Sequence, residues 1–248
     1  MTTRDWDAPT YDRIANPMTR WGEVVLDRLV LTGSERVLDA GCGSGRVTER
    51  LLARLPRGSV VALDASPRMV AEARRRLAAF GDRVEYVVAD LARPLPTGPV
   101  DAVLSTATFH WIASHEALFA NLAAVIRPGG QLVAQCGGAG NLATVVAILD
   151  AVDPEGHAWR PWHFATPEDT HRRLAAAGFR DIDVWLHDEP TAVPPETMAD
   201  YLRTIIFGAT LERMAEVDRE PFVQAVAARI PDGHLDYVRL NIVASRNA

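Results

Sequence analysis

Residues 37–45 read VLDAGCGSG, an apolar run that ends in Asp39 and is followed by Gly41, Gly43 and Gly45. Glycine permits a tight turn and lets a ligand approach the backbone closely. The amides at the start of a following helix then point at that ligand. The spacing differs from both the dinucleotide fingerprint and the phosphate loop. The stretch therefore predicts a strand, a ligand-binding turn and a helix, with a purely structural turn as the alternative.

Short apolar runs alternate with helix-length segments on either side of this turn. The runs are rich in valine and leucine without strict alternation, as expected for strands buried on both faces. They lie at residues 36–39, 59–64, 84–90, 100–105 and 131–135, with helices predicted at 45–55, 67–80 and 114–127. This order is typical of parallel βαβ units. We expect an α/β fold with a Rossmann-like, doubly wound sheet.

The pattern loosens after residue 140. Two more helices, a strand and a last alternating strand are predicted at 142–152, 167–177, 180–187 and 235–244. Residues 190–231 have a helical pattern broken by prolines. We expect an N-terminal helical lid at 1–34, a core at 35–189 and 232–248, and a small helical cap at 190–231, inserted between the last two strands over the substrate pocket.

Two acids end the second and third predicted strands. Asp64 follows the glycine turn at the distance where a carboxylate can bind the ribose hydroxyls of a nucleoside. Asp90 could accept a proton from an adenine amino group. Each acid could instead cap a helix, and Asp64 precedes the helix start Ser66-Pro67. Acids at three successive strand ends beside one glycine turn favour the nucleoside site.

Composition excludes several classes of function. The net charge is −6, which argues against a nucleic-acid partner. All 26 basic residues are arginine, so lysine chemistry is excluded. Cys42 and Cys136 do not have metal-ligand spacing, and we expect no metal. No apolar run approaches the roughly 20 residues of a membrane span, and no signal peptide is visible. We expect a cytoplasmic protein without a membrane partner; no sequence pattern indicates an oligomeric state.

The chain resembles the class I S-adenosylmethionine-dependent methyltransferases over about residues 5–187. The resemblance lies in residues 37–45, in ALDAS at 62–66, ADL at 89–91 and LAAVIRPGG at 122–130. It implies S-adenosyl-L-methionine as cofactor and a seven-stranded sheet whose last strand is antiparallel. The implied cofactor-binding residues are Tyr11, Asp39, Gly41, Gly43, Gly45, Asp64, Ala65, Met69, Asp90, Leu91, Ser105 and Thr106. Among these, the glycines would surround the methionine moiety, and Ala65 and Met69 would flank the adenine.

A closer resemblance is to trans-aconitate methyltransferase-like proteins. It rests on WDAPTY at residues 6–11 and DAVLSTATFHW at 101–111. That family leads us to expect Asn at the position of Thr106 and Gln at the position of His110. The resemblance implies a small-molecule methyl acceptor.

The acceptor site is predicted to contain His110, Trp111, Tyr201 and Arg203. His110 follows the fourth strand, where it would act as a general base or would only donate a hydrogen bond. Arg203 would pair with a substrate carboxylate or remain solvated. Aromatic faces favour a bound sulfonium, and the candidates are Trp6, Tyr11, Trp21 and Trp111. The aromatic and histidine cluster at 157–171 would line a pocket or pack as a hinge.

Three functions remain open at this point. The first is methyl transfer to a small molecule, such as a carboxylate or a natural-product scaffold. The second is another enzyme class on the same cofactor fold, for example a cyclase. The third is a non-catalytic binding module. The intact glycine turn with Asp64 and Asp90 disfavours the third.

Overall fold

The predicted strands pair into one mostly parallel sheet. In the computed structural model, which describes residues 16–248, seven strands form this sheet: β1 (Arg36–Ala40), β2 (Ser59–Asp64), β3 (Val84–Val88), β4 (Val100–Thr106), β5 (Ile126–Gly137), β6 (Phe179–Asp188) and β9 (Val238–Arg246). Their order is β3-β2-β1-β4-β5-β9-β6. Only β9 runs antiparallel to its neighbours, β5 and β6. The predicted fold class, including the antiparallel last strand, is confirmed.

Helices cover both faces of the sheet. They are α1 (Asn16–Leu26), α2 (Arg46–Ala53), α3 (Pro67–Arg76), α4 (His115–Val125), α5 (Ala143–Val152) and α6 (Pro167–Ala176). Leu38 packs on one face with residues of α4 and α6. Its neighbour Val37 packs on the other face with residues of α1 and α2. This double burial explains why β1 reads as a continuous apolar run.

The helix starts follow from local sequence. The hydroxyl oxygen of Ser66 accepts a hydrogen bond from the amide of Met69 at 3.2 Å, and Pro67 occupies the first turn of α3. Ser114 and Thr166 cap α4 and α6 in the same way. Such caps satisfy amides that have no partner within the helix. The helix predicted at 67–80 ends earlier, at Arg76, and a 3₁₀ turn (Ala78–Arg83) follows it.

The segment between β6 and β9 is mainly helical. It contains α7 (Pro195–Tyr201), a π-helical turn (Leu202–Ile206), α8 (Gly208–Glu212) and α9 (Glu216–Ala227). A short two-stranded sheet, β7 (Thr191–Ala192) with β8 (His234–Leu235), ties its two ends together. None of the helices described for residues 16–248 is long and apolar enough to cross a membrane.

The last strand starts later than predicted, at Val238 rather than at residue 235. Leu235 pairs with Thr191 instead. Asp236 turns towards α5, where its carboxylate accepts hydrogen bonds from the amide and the hydroxyl of Thr144 at 2.9 and 3.0 Å. Because this residue serves as a helix-capping group, the alternating pattern at 235–237 does not belong to the large sheet.

The strand order creates a crevice at the carboxyl ends of β1 and β4. The chain moves outwards from β1 to β2 and β3 on one side, and from β4 to β5 on the other. Ligands of open α/β sheets bind where the order reverses in this way. The glycine turn follows β1, so the fold places it in this crevice.

Candidate active site

The three glycines of the turn have different local requirements. Gly41 has φ of 89°, and a Cβ at this position would lie 2.1 Å from Oγ1 of Thr108. Gly45 has φ of 85°, and its Cβ would press against Ala73 of α3 at 3.2 Å. Gly43 has φ of 52°, and its Cβ would meet no atom within 4 Å. Packing therefore requires glycine at 41 and 45, whereas Gly43 faces open space.

The acid at the end of β2 is tied to this turn. Oδ2 of Asp64 accepts a hydrogen bond from the amide of Gly43 at 2.9 Å, and Oδ1 accepts one from the amide of Ser66 at 2.9 Å. Ser66, not Asp64, caps α3. A carboxylate has about four acceptor positions, so Asp64 retains capacity for a ligand's hydroxyl groups. Burial raises the pKa of Asp64, and its hydrogen bonds from the backbone oppose this shift.

Asp64 lies on the wall of a large cavity in the crevice, with a volume of about 520 Å³. This volume falls within the roughly 300–1,000 Å³ of small-ligand sites. Eight residues of the predicted cofactor set and one of the predicted acceptor set, Trp111, line it; the eight are Gly41, Gly43, Asp64, Ala65, Met69, Asp90, Leu91 and Thr106. We call this space the cofactor cavity.

The chemistry of this lining fits S-adenosylmethionine. Gly43 leaves a backbone surface that a ligand can approach, beside the carboxylate of Asp64. Asp90 lies farther along the same wall, and its Oδ1 accepts a hydrogen bond from the amide of Ala92 at 2.9 Å. Carboxylates next to apolar Ala65 and Met69 suit the hydroxyls, the amino group and the ring of an adenosine. Within residues 16–248, no group of three acidic, histidine or cysteine side chains is placed to hold a metal.

Three predicted cofactor residues do not line the cavity. Asp39 is 1% exposed, and its Oδ2 accepts a hydrogen bond from the Thr48 hydroxyl at 2.6 Å. Burial raises the pKa of Asp39 to about 7, and the Thr48 hydrogen bond opposes that shift. Ser105 is also buried and donates a hydrogen bond to the carbonyl of Ala40 at 2.6 Å. Asp39, Ser105 and Gly45 therefore stabilise the glycine turn without lining the cavity. Tyr11 lies outside the described residues.

A second, smaller cavity of about 40 Å³ adjoins the cofactor cavity. The two share the residues Ala107, Trp111 and Trp162 on their walls. The remaining residues of the small cavity come from distant parts of the chain: Trp21, His110, Asn141, Leu142, Phe164, Ile205, Ile206, Tyr237 and Arg239. We call it the side cavity.

His110 lies in the side cavity and is 9% exposed. The amide of Gly137 donates a hydrogen bond to Nδ1 of His110 at 3.3 Å, so in the neutral ring the proton resides on Nε2. Burial, followed by the positive charge of Arg239, lowers the pKa of His110 well below its usual value. The imidazole is therefore neutral and presents an N–H donor.

Ala107 lines both cavities and has φ of 54°, an unfavourable conformation for a residue with a side chain. Its amide donates a hydrogen bond to the carbonyl of Gln135 at 2.7 Å. Strain of this kind persists where the surrounding structure enforces it, often at functional sites.

The other two predicted acceptor residues do not reach either cavity. Tyr201 is buried, and its hydroxyl bonds that of Tyr237, a residue of the side cavity, at 2.8 Å. Arg203 lies away from the cavities because Asp200 and Glu220 hold its guanidinium. The expected pairing of Arg203 with a substrate carboxylate therefore has no support in this geometry.

Some lining residues were predicted only as one of two alternatives, and others were not predicted. Trp159, Trp162 and His163, from the cluster left open as a pocket or a hinge, line the cofactor cavity. Arg239 and Tyr237 lie near the far end of the chain and reach the side cavity only because β9 inserts between β5 and β6. The sequence indicates a special role for Arg239 in one way, because this charged residue lies within the apolar pattern of the last strand.

Comparison with known proteins identifies the family of the chain. Residues 37–130 match the methyltransferase domain family model. A trans-aconitate 2-methyltransferase of Acidovorax ebreus is 31% identical, and the match covers 98% of each chain.

Two solved structures share the fold. Phosphoethanolamine N-methyltransferase 2 of Haemonchus contortus, in complex with phosphomonomethylethanolamine and S-adenosylhomocysteine, superposes with a TM-score of 0.65 at 19% identity, over 97% of this chain and 56% of that one. The [4+2]-cyclase SpnF superposes with a TM-score of 0.60 at 21% identity, over 93% and 81%. By its near full-length match to a methyltransferase and by the cavity that its glycine turn, Asp64 and Asp90 form, this chain belongs to the class I S-adenosylmethionine-dependent methyltransferases.

Proposed function

We propose that this methyltransferase methylates a carboxylate of a small organic acid. The observation that carries the proposal is the state of His110, which lies on the wall of the side cavity with its ring centroid 5.0 Å from that of Trp111, a residue that lines both cavities. It is neutral, its Nδ1 accepts from the backbone, and its Nε2 bears a proton. A donor in this position does not remove a proton from the acceptor. A carboxylate is already nucleophilic at neutral pH and requires no base.

The residues of the chain act by binding and orientation. When bound, S-adenosylmethionine supplies a methyl group on a positively charged sulfur. Asp64 and Asp90 would hold its adenosine, and the turn at Gly41 and Gly43 would hold its amino-acid end. Methyl transfer is an in-line displacement, so holding the two reactants in line and excluding water accounts for much of the rate. Ala107, which lines both cavities, would lie beside the point where the two reactants meet.

The walls of the cavities suit this task. Trp111 and Trp162 line both cavities, and aromatic faces favour a cation by about 0.5–2 kcal/mol. Ile205 and Ile206, from the π-helical turn, close the side cavity, which supports the role of residues 190–231 as a cap over the acceptor. The His110 N–H would donate a hydrogen bond to the acceptor and orient it. The name of the Acidovorax ebreus relative makes trans-aconitate the first acceptor to test.

The test is transfer of a tritiated methyl group to trans-aconitate and, in parallel, to a phenol and an amine of similar size. A methyl ester is cleaved by alkali, so the expected label is released as volatile methanol after base treatment. A methylated phenol or amine is stable to alkali. Label that survives base, or no transfer to any acid in a wider panel, would overturn the proposal. Turnover of a substrate without label transfer would favour the cyclase-type alternative.

A further inference from the structure

The connection between α5 and α6 forms an aromatic wall of the cofactor cavity. Its residues 159–163 read WRPWH, and all five line this cavity. We call residues 159–163 the aromatic strap. Trp159 and Trp162 remain partly exposed, although tryptophan is well covered in most folded proteins. Large aromatic surface left uncovered inside a cavity is typical of a ligand-binding wall.

Both ends of the aromatic strap are anchored. The hydroxyl of Thr210, on α8, donates a hydrogen bond to the carbonyl of Trp159 at 2.7 Å. At the other end, the amide of His163 donates to the carbonyl of His110 at 2.8 Å. A wall that is held in place before a ligand arrives loses little conformational entropy when the ligand binds.

Ring contacts fix the orientation of the two tryptophans. Trp162 is nearly parallel to Phe164, with ring centroids 5.9 Å apart and an interplanar angle of 8°, and its ring centroid lies 6.2 Å from that of Phe207. The guanidinium of Arg213 lies over the Trp159 ring at 3.8 Å. Arg213 covers only one face of this ring, so the rest of the ring can contact a ligand in the cavity that Trp159 lines.

The fold places the aromatic strap away from the predicted adenosine site. Asp64 and Asp90 follow β2 and β3, on one side of β1 in the strand order. The strap follows β5 and α5, on the other side of β1. Trp111 and Trp162 also line the side cavity, which contains His110. A ligand group that contacts the strap is therefore expected to belong to the acceptor.

The chemistry of this wall favours an apolar ligand group. Arg160, the arginine of the strap, is paired with Asp150 at an N–O distance of 2.7 Å. Pro161 adds apolar surface, and so do Ile112 after β4 and Ala209 of α8. The wall therefore offers mainly aromatic stacking and apolar contact.

Space also directs a large apolar group to this wall. A cavity needs about 10–15 Å³ to hold one water molecule. The side cavity, with about 40 Å³, is therefore too small for an aromatic ring, whereas the cofactor cavity has about 520 Å³.

We infer that the aromatic strap binds a planar apolar arm of the acceptor, so that the enzyme selects carboxylic acids that carry an aromatic group. This inference rests on the proposed function and names its substrate class. The carboxylate would accept the hydrogen bond from His110, and the arm would extend along Trp162 to Trp159.

The test is isothermal titration calorimetry on enzyme saturated with S-adenosylhomocysteine, with cinnamate and crotonate as probes. The two acids share the same unsaturated carboxylate, and cinnamate carries a phenyl ring where crotonate carries a methyl group. We expect the wild type to bind cinnamate at least about 10-fold more tightly, because the ring leaves water and stacks on the strap. Affinities within about threefold of each other would overturn the inference without any variant.

The variant Trp159→Ala removes the ring at one end of the strap. We expect it to weaken cinnamate binding about 10-fold and crotonate binding less than about 3-fold. Trp159→Phe keeps an aromatic face and should retain most of the preference for cinnamate. The matched control is Trp185→Ala, which removes a partly exposed tryptophan of β6 that lines neither cavity and should leave both affinities unchanged.

Circular dichroism reports whether each variant is folded, and calorimetry measures its affinity for S-adenosylhomocysteine. A folded Trp159→Ala variant that keeps the wild-type preference for cinnamate would overturn the role of the strap. A folded variant that instead loses affinity for S-adenosylhomocysteine would assign Trp159 to the cofactor and overturn the inference as well.

The two proposals fail in different ways. A base-stable methylated product overturns the carboxylate acceptor, and the titrations still report whether the strap binds an aromatic arm. A base-labile ester, combined with equal binding of cinnamate and crotonate, overturns only the selection of an aromatic acid.

Discussion

The carboxylate of Asp64 at the end of β2 accepts a hydrogen bond from the amide of Gly43 in the turn after β1, with an N–O distance of 2.9 Å. Two neighbouring strand ends are thereby joined into one wall of the cofactor cavity. Asp64 therefore holds the glycine turn and, in the role proposed for it, would also accept hydrogen bonds from the cofactor.

Asp64→Ala is expected to weaken S-adenosylmethionine binding about 100-fold. Loss of hydrogen bonds to a charged acceptor costs about 1.5–3 kcal/mol, and the turn also loses its anchor. Isothermal titration calorimetry measures the affinity directly. The matched control is Asp82→Ala at an exposed acid, which leaves the affinity unchanged. An Asp64→Ala protein that binds within threefold of the wild type would show that Asp64 is only a structural acid.

Two glycines of one turn are expected to respond differently to alanine. Gly41→Ala introduces a clash with Thr108 and an unfavourable φ, and should lower the free energy of unfolding by about 2–5 kcal/mol. Gly43→Ala meets open space and should cost about 1–2 kcal/mol from its φ alone. Its new methyl group enters the cofactor cavity, so its main effect should be on binding.

Urea unfolding and cofactor titration on both variants separate these effects. Similar losses of stability in the two variants would contradict the assignment of Gly43 to the ligand side of the turn.

The raised pKa of Asp39 predicts that the free energy of unfolding depends on pH. Its pKa is about 7 in the folded protein, above the ordinary value of 3.8, because the carboxyl is buried. The folded protein binds the Asp39 proton more tightly than the unfolded chain does. The stabilisation that protonated Asp39 gives the folded state is therefore fully present below about pH 4 and is lost as the pH rises through about 7. Asp39→Asn lacks the titration. From pH 5 to pH 7 the wild type should lose up to about 1.4 kcal/mol per pH unit relative to the variant.

Urea unfolding of the cofactor-free proteins at several pH values tests this. The comparison isolates Asp39, because the other titrating groups are common to both proteins. A difference that does not change with pH would show that Asp39 is ionised in the folded state.

The lowered pKa of His110 predicts that the pH profile of activity shows no inflection from this residue near neutral pH. Because its pKa is well below the usual value, the imidazole stays neutral from pH 6 upwards. We therefore expect His110→Gln to keep the shape of the kcat/KM profile for trans-aconitate between pH 6 and 8.5, since glutamine also donates a hydrogen bond. A single inflection in the wild type that disappears in His110→Gln would identify His110 as a general base.

The sequence was sufficient for the elements that are encoded locally. The strand positions, the Ser66 and Ser114 helix caps and the acids beside the glycine turn all depend on residues close together in the chain. The cofactor side of the site is formed from such segments, which explains why most of its predicted residues line one cavity.

The acceptor side could not be predicted in the same way. Trp21, Ile206 and Arg239 meet in the side cavity although they belong to α1, the π-helical turn and β9. Their proximity depends on how the helical segment packs on the sheet, which no local pattern reports. Arg203 and Arg239 illustrate this limit, because the sequence predicted that Arg203 would contact the acceptor and did not single out Arg239. Both arginines have apolar neighbours in the sequence, and only the packing of the folded chain determines which groups they contact.

The positive φ of Ala107 also limits which substitutions this position can accept. Glycine would relieve the strain, yet it would loosen the wall that the two cavities share. A larger side chain would retain the strain and intrude on both compartments, since this residue lines each of them. Directed evolution towards bulkier acceptors would therefore meet less resistance at Ile205 and Ile206, where the wall belongs to an inserted segment, than at the end of β4.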